Sequence, residues 1–209
     1  MGNSAEGLAY LQQTMDLIHT IEIKTLKVSI FESIARAYLS VSEFTKAHDS
    51  LQKALSYLTT DKNAHFDLYF LLATIFRKEG NYKKAEQVLD ELNNSLGAKI
   101  EEIDQAFITH EKGNILLDTH NYLAAEKCFI LADSILSLKD GYETELAVIY
   151  NSLGLVNLEL QQYVAAIDYL EEAIYISESY GLFDQCADCL LYTSPSPRDL
   201  STSRMPSSA

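Results

Sequence analysis

The chain has 209 residues, 47 % of them hydrophobic, and carries a formal net charge of −14. That balance excludes a nucleic-acid surface, which needs clustered Lys and Arg, and disfavours an anionic membrane surface for the same reason. No apolar run approaches the ~18 residues of a spanning helix. The opening MGNSAEGLAY has no basic-then-apolar layout, so no signal peptide is expected, and Glu6 stands where a myristoylation site needs Ser or Thr. Three cysteines without framework spacing point to a reducing, cytoplasmic setting.

The first predicted element is a lone helix, GLAYLQQTMDLI from Gly7, which aligns with AHDSLQKALSYL from Ala47, 40 residues on. It reads as an N-terminal half-repeat over 1–26 that lacks its partner. From residue 27 a two-helix unit recurs. Its first helix reads FESIARAY from Phe31, YFLLATIF from Tyr69, THEKGNIL from Thr109 and YNSLGLVN from Tyr150, with a small residue at Ala35, Ala73, Gly113 and Gly154. A turn follows, in which Gly80, or His120 and Asn121, tolerates unusual backbone angles. The second helix reads SEFTKAHDSLQKAL, GNYKKAEQVLDEL, HNYLAAEKCFILAD and QQYVAAIDYLEEAI. Each has an aromatic residue (Phe44, Tyr82, Tyr122, Tyr163) three before an alanine (Ala47, Ala85, Ala125, Ala166), and the alanines are 38, 40 and 41 residues apart. A large apolar residue follows each by four, at Leu51, Leu89, Phe129 and Leu170.

Antiparallel helices approach closely only where side chains are small. The Ala or Gly of the first helix therefore meets the Ala of the second, and the large residues fill the layer against the next hairpin. The expected fold is all-α, a right-handed superhelical solenoid of antiparallel helix hairpins. The array is expected over 27–188 as four repeats plus the start of a fifth, LFDQCAD after Gly181. An uncapped edge there would favour self-association.

The last segment breaks the pattern. No proline precedes Pro195, yet Pro195, Pro197 and Pro206 all fall in the last fifteen residues. Cys189 to Asp199 back-translates into codons that resemble the transposase adapter of short-read library preparation. Ser203 to Ala209 back-translates into codons that resemble the flow-cell end of the same DNA. Residues 189–209 are thus expected to be a non-native, disordered tail. On that reading Cys186-x-x-Cys189 is no redox or zinc motif, and the native protein continues beyond Asp188.

The repeat resembles the tetratricopeptide repeat, whose pattern is W-x2-L-G-x2-Y, then A-x3-F, then P. The resemblance covers about residues 5–188. The Trp slot holds Phe31, Tyr69, Thr109 and Tyr150, and the final Pro is absent. Thr109 with Lys112, and Asn157 in the Tyr slot, make the third and fourth first helices the weakest individual matches. The spacing exceeds the family's usual 34, as in the long-repeat kinesin light chains and bacterial sensory arrays.

This resemblance implies a protein-interaction scaffold with a concave groove, lined by first helices, for a peptide or partner helix. The groove candidates are Glu32, Arg36, Phe70, Thr74, Arg77, His110, Asn114, Asn151 and Leu155. In kinesin light chains an asparagine in the Asn151 slot resembles a ladder that bonds extended backbone. Here the slot holds Glu32, Phe70, His110 and Asn151, so the ladder is broken, although Asn114 lies one helical turn from His110. The lysine-asparagine clamp that grips terminal carboxylates in some relatives is not reproduced, because Lys112 falls on the packing side. The alternative reading is a regulatory region of a truncated bacterial signalling protein with a histidine kinase, diguanylate cyclase or DNA-binding output.

No enzyme is expected in this chain. A Gly-rich phosphate loop and a nucleophile elbow are absent from the sequence. HEKGN at His110 has Asn114 where a zinc-protease motif needs its second His, and the five histidines lack ligand spacing. No metal or cofactor is expected. Cys128 reads as a small buried hydrophobe, and Glu171 with Glu172 as a solvated helix face.

Overall fold

A computed structural model describes residues 10, 13, 23–58, 62–97 and 101–181. The half-repeat over 1–26 falls largely outside the described residues. The start of a fifth repeat, the Cys186-x-x-Cys189 pair and the 189–209 tail fall wholly outside them. The described residues form eight helices and no strand: α1 (Lys24–Ser40), α2 (Phe44–Tyr57), α3 (Lys62–Lys78), α4 (Tyr82–Leu96), α5 (Glu102–Asp118), α6 (Tyr122–Leu136), α7 (Glu143–Glu159) and α8 (Tyr163–Ser179). They divide into two compact units, one ending at Ile100 and one beginning at Glu101. Each unit holds two helix hairpins, the arrangement of an all-α repeat solenoid.

The hairpins close in one way throughout. Ser42, Gly80, His120 and Gln161 sit at equivalent turn positions, and all four have φ between 59° and 83°. The N–H of each reaches back three residues, to the carbonyls of Leu39, Arg77, Leu117 and Leu158. The next residue reaches back five: Glu43 to Tyr38, Asn81 to Phe76, Asn121 to Leu116 and Gln162 to Asn157. These bonds satisfy carbonyls that a helix end leaves open. The same residue then starts the second helix. The carbonyls of Glu43, Asn81, Asn121 and Gln162 accept from the N–H of Ala47, Ala85, Ala125 and Ala166 at 3.0 to 3.1 Å. The spacing of the repeat alanines is thus also the spacing of the turns. Of the two residues expected to take unusual angles at the third turn, only His120 does; Asn121 has φ −90° and serves as the helix start.

A left-handed backbone costs an L-residue roughly 1–2 kcal/mol, while glycine loses about 0.4–1 kcal/mol more than alanine from its unfolded freedom. Ser42 and Gln161 are exposed and non-glycine. Ser42→Gly and Gln161→Gly are each expected to raise stability by about 0.5–1 kcal/mol. Urea melts followed by circular dichroism check this, and a lowered midpoint would contradict it.

In the first unit, α1, α2 and α3 share a core of Val28, Phe31, Ile34, Leu51, Leu68, Leu71 and Ile75 around the fully buried Ala35 and Ala47. His48 on α2 ties successive hairpins. Its ring lies 4.8 Å from that of Phe76 on α3, and Nε2 is 3.5 Å from Glu79. In the second unit, Phe129, Leu136, Ile149, Leu153 and Val156 form the core with Ala106, Ala125 and Ala132. Leu170 and Ala173 of α8 are buried as well. Each buried Leu, Ile or Phe contributes roughly 1.5–3 kcal/mol.

Glycine replaces alanine in the first helices of the second unit, and the neighbours use the space. A Cβ on Gly113 would lie 2.6 Å from Phe129 Cε1, and one on Gly154 would lie 2.5 Å from Leu170 Cγ. The small residue of the first helix and the large residue four after the repeat alanine are therefore direct partners. Asn157, in a slot where the family has Tyr, is buried and donates Nδ2 to the Leu153 carbonyl at 2.8 Å. Its amide is satisfied within its own helix.

Candidate functional site

The nine groove candidates lie on the first helix of each hairpin, four or five to a unit. In the first unit, Glu32 and Arg36 are one turn apart on α1. The Arg36 guanidinium donates Nε and Nη2 to Glu32 Oε1 at 3.0 and 2.8 Å. On α3, half-buried Phe70 stacks on Phe66 with ring centroids 5.7 Å apart. Thr74 Oγ1 donates to the Phe70 carbonyl at 3.1 Å. Arg77 is 9 % exposed.

In the second unit the candidates lie on α5 and α7. α5 and α7 run side by side, joined by His110 and Ser152 with Nε2 and Oγ 3.0 Å apart. Ser152 Oγ also lies 3.0 Å from the Val148 carbonyl and donates to it. The tautomer that satisfies both has the proton on His110 Nε2, donating to Ser152, which donates onward to Val148. The His110 ring rests against Phe129 at 5.3 Å. One turn on, Asn114 Nδ2 donates to Glu111 Oε2 at 3.0 Å, and Glu111 itself is buried. Asn151 and Leu155 are half-buried on α7.

Sequence reasoning missed Ser152, Glu111 and a second polar link. The Tyr150 hydroxyl of α7 donates to Asp133 of α6, and the Tyr150 ring stacks on Tyr169 of α8 at 6.2 Å. Burial, followed by the Asp133 charge, pushes the Tyr150 phenol up to about 12. Its folded value is raised, so the stability lent by the neutral phenol is present at neutral pH and is lost only in strong alkali. Burial also raises the Asp133 carboxyl, with the Tyr150 bond offsetting part of the rise. Asp133 Oδ1 is buried without a hydrogen-bond partner. Cys128 is half-buried, and desolvation raises its thiol.

Among the described residues no group of three or more His, Cys, Asp or Glu could hold a metal ion. No helix there is long and apolar enough to cross a membrane. The first-helix faces offer mixed amide, imidazole and apolar contacts. Such a surface can bond a peptide backbone, which needs both donors and acceptors.

Two segments, 66–93 and 147–180, match the tetratricopeptide repeat family model. The second contains the fourth first helix, expected from Asn157 to be among the weakest matches. No curated protein matches the chain. Solved structures share the fold. The apo form of RapI superposes with a TM-score of 0.64 at 15 % identity, over 89 % of this chain and 68 % of that one. For the Cut9-Hcn1 structure of the APC/C hetero-tetramer the score is 0.61 at 18 % identity, over 85 % of this chain but 31 % of that one. BtubC (BKLC) from P. vanneervenii gives 0.59 at 17 % identity, over 99 % and 93 %. At these identities the likeness speaks for fold. Joined to the two matched segments and to a turn and an alanine that recur in every described hairpin, it shows a tetratricopeptide-type helical repeat fold.

Proposed function

We propose that this chain is an interaction scaffold that holds a peptide segment of a partner protein on its first-helix face. Tetratricopeptide repeats generally mediate protein–protein interaction. The observation that carries the finer reading is the pairing of α5 and α7 through His110 and Ser152, the same two helices that carry Asn114, Asn151 and Leu155. Two first helices held in register give a partner's backbone a fixed set of amides to meet. Preorganisation of this kind lowers the entropy lost on binding. A broken asparagine ladder favours weak binding, and the missing carboxylate clamp removes any need for a free C-terminus.

Asn151→Ala is expected to weaken a partner peptide by about 0.5–1.5 kcal/mol, one net hydrogen bond. A peptide-array screen with the full chain, repeated with Asn151→Ala and with C-terminally amidated peptides, reads this out. Partners that bind only as free carboxylates, or that ignore the substitution, would show the reading to be wrong.

A further inference from the structure

The net charge is not spread evenly along the chain. Residues 1–100 hold eleven Lys and Arg against twelve Asp and Glu, whereas residues 101–181 hold three Lys against fifteen acids. Over 140–181, the span of the last hairpin, there are eight acids and no Lys, Arg or His.

Exposed apolar side chains occur in the same place, as they also do at Leu123, Ile130 and Leu131 of α6, where Lys127 stands among them. On α8, Val164, Asp168, Glu171, Tyr175 and Glu178 follow one another at helical spacing and are all exposed. The opposite stripe, Ala166, Leu170 and Ala173, is buried. Val164 is 76 % exposed and Tyr175 67 %. In the repeat frame Val164 stands where earlier second helices carry Thr45, Lys83 and Leu123, and Tyr175 where they carry Ser56, Asn94 and Ser134. Polar residues serve the first position in two of the three earlier helices and the second position in all three, so packing does not demand a valine and a tyrosine there. A stripe meant only for water has no use for them, and a stripe meant for a core would not carry three carboxylates.

We infer that the outer face of α8 docks a basic amphipathic helix of a partner protein. Its Lys or Arg residues face Asp168, Glu171 and Glu178, and its aliphatic or aromatic residues cover Val164 and Tyr175. Charge complementarity sets the occupant. With no cation over 140–181, the local field attracts a basic segment and repels an acidic one, including a second copy of this acidic chain. The apolar pair supplies the part of the attraction that salt does not screen. This surface is on a second helix and does not depend on the first-helix reading above.

The test titrates the full chain against a labelled Leu/Lys amphipathic peptide by fluorescence anisotropy, with Ser/Lys and Leu/Glu peptides of equal length as controls. Val164→Ser with Tyr175→Ser is expected to weaken the Leu/Lys peptide about tenfold, as is Glu171→Lys with Glu178→Lys, each with an unchanged circular dichroism spectrum. Glu86→Lys with Glu91→Lys, on the exposed face of α4, is expected to change little. Equal binding of the Ser/Lys peptide, or an equal loss from the α4 reversal, would reduce the effect to bulk charge and overturn the proposal. Self-association of the free chain that Val164→Ser with Tyr175→Ser abolishes would also overturn it, by making the face a contact between copies.

Discussion

Gly154→Leu is expected to lower stability by about 3 kcal/mol, the upper end of what overpacking a close contact does. The reason is local and severe. Even a methyl at Gly154 would sit 2.5 Å from Leu170 Cγ and 2.6 Å from Cδ2, with the Ala166 carbonyl oxygen at 3.4 Å. Leu170 is fully buried between α7 and α8 and cannot swing into solvent. A leucine at Gly154 must push the two helices of the last hairpin apart. Urea denaturation followed at 222 nm measures the loss, and an unchanged midpoint would mean that the contact is looser than the geometry states. Gly154→Ala is expected to destabilise less, in the order of added volume.

The second large effect is expected at Phe129. Phe129→Ala should cost about 3–5 kcal/mol, because the ring is fully buried at the meeting of α5, α6 and α7 and leaves a cavity. Its partner makes the prediction sharper. Gly113→Ala alone places a methyl 2.6 to 2.8 Å from the Phe129 ring and should also destabilise. In the Phe129→Ala background that methyl enters the vacated space. The double variant is then expected to fall short of the sum of the two singles by about 0.5–3 kcal/mol. Additive losses would separate the two residues. The ring also supports His110, so the same change should loosen the His110–Ser152 link and weaken peptide binding beyond its effect on folding. Comparing binding well below the denaturation midpoint for Phe129→Ala and Gly154→Leu separates that local effect from general instability.

The candidate site was only partly legible in the sequence. Its residues were proposed because a first helix repeats, and repetition marks which positions share a face. Their partners were not found. His110 and Ser152 are 42 residues apart, and nothing local links them. Their contact depends on how far one hairpin is rotated against the next. The same holds for Tyr150 and Asp133, joined across the α6–α7 turn region by the stacking of hairpins rather than by spacing. The burial of Arg77 was not legible either, because its charge is visible in the sequence and the path of its side chain is not. Asn157 looked like a defect, because a slot usually filled by an aromatic residue held an amide. The bond to Leu153 that removes the defect depends on a rotamer.

The sequence by itself determined the hairpin. Alanine and glycine at fixed intervals, large apolar residues four positions on and a proline-free body are enough to specify helix, turn and helix, because each is a matter of one residue and its near neighbours on a helix. Even the unusual turn angle was half visible, at Gly80 and His120, though Ser42 and Gln161 adopt it without a glycine's freedom. Only the tertiary structure decided which small residue meets which large one, which polar groups pair and which apolar side chains remain in water. Gly113 against Phe129, His110 against Ser152 and the bare Val164–Tyr175 stripe are all outcomes of hairpin stacking. That stacking is set by the summed shape of two surfaces, and a linear pattern of residue types does not carry it.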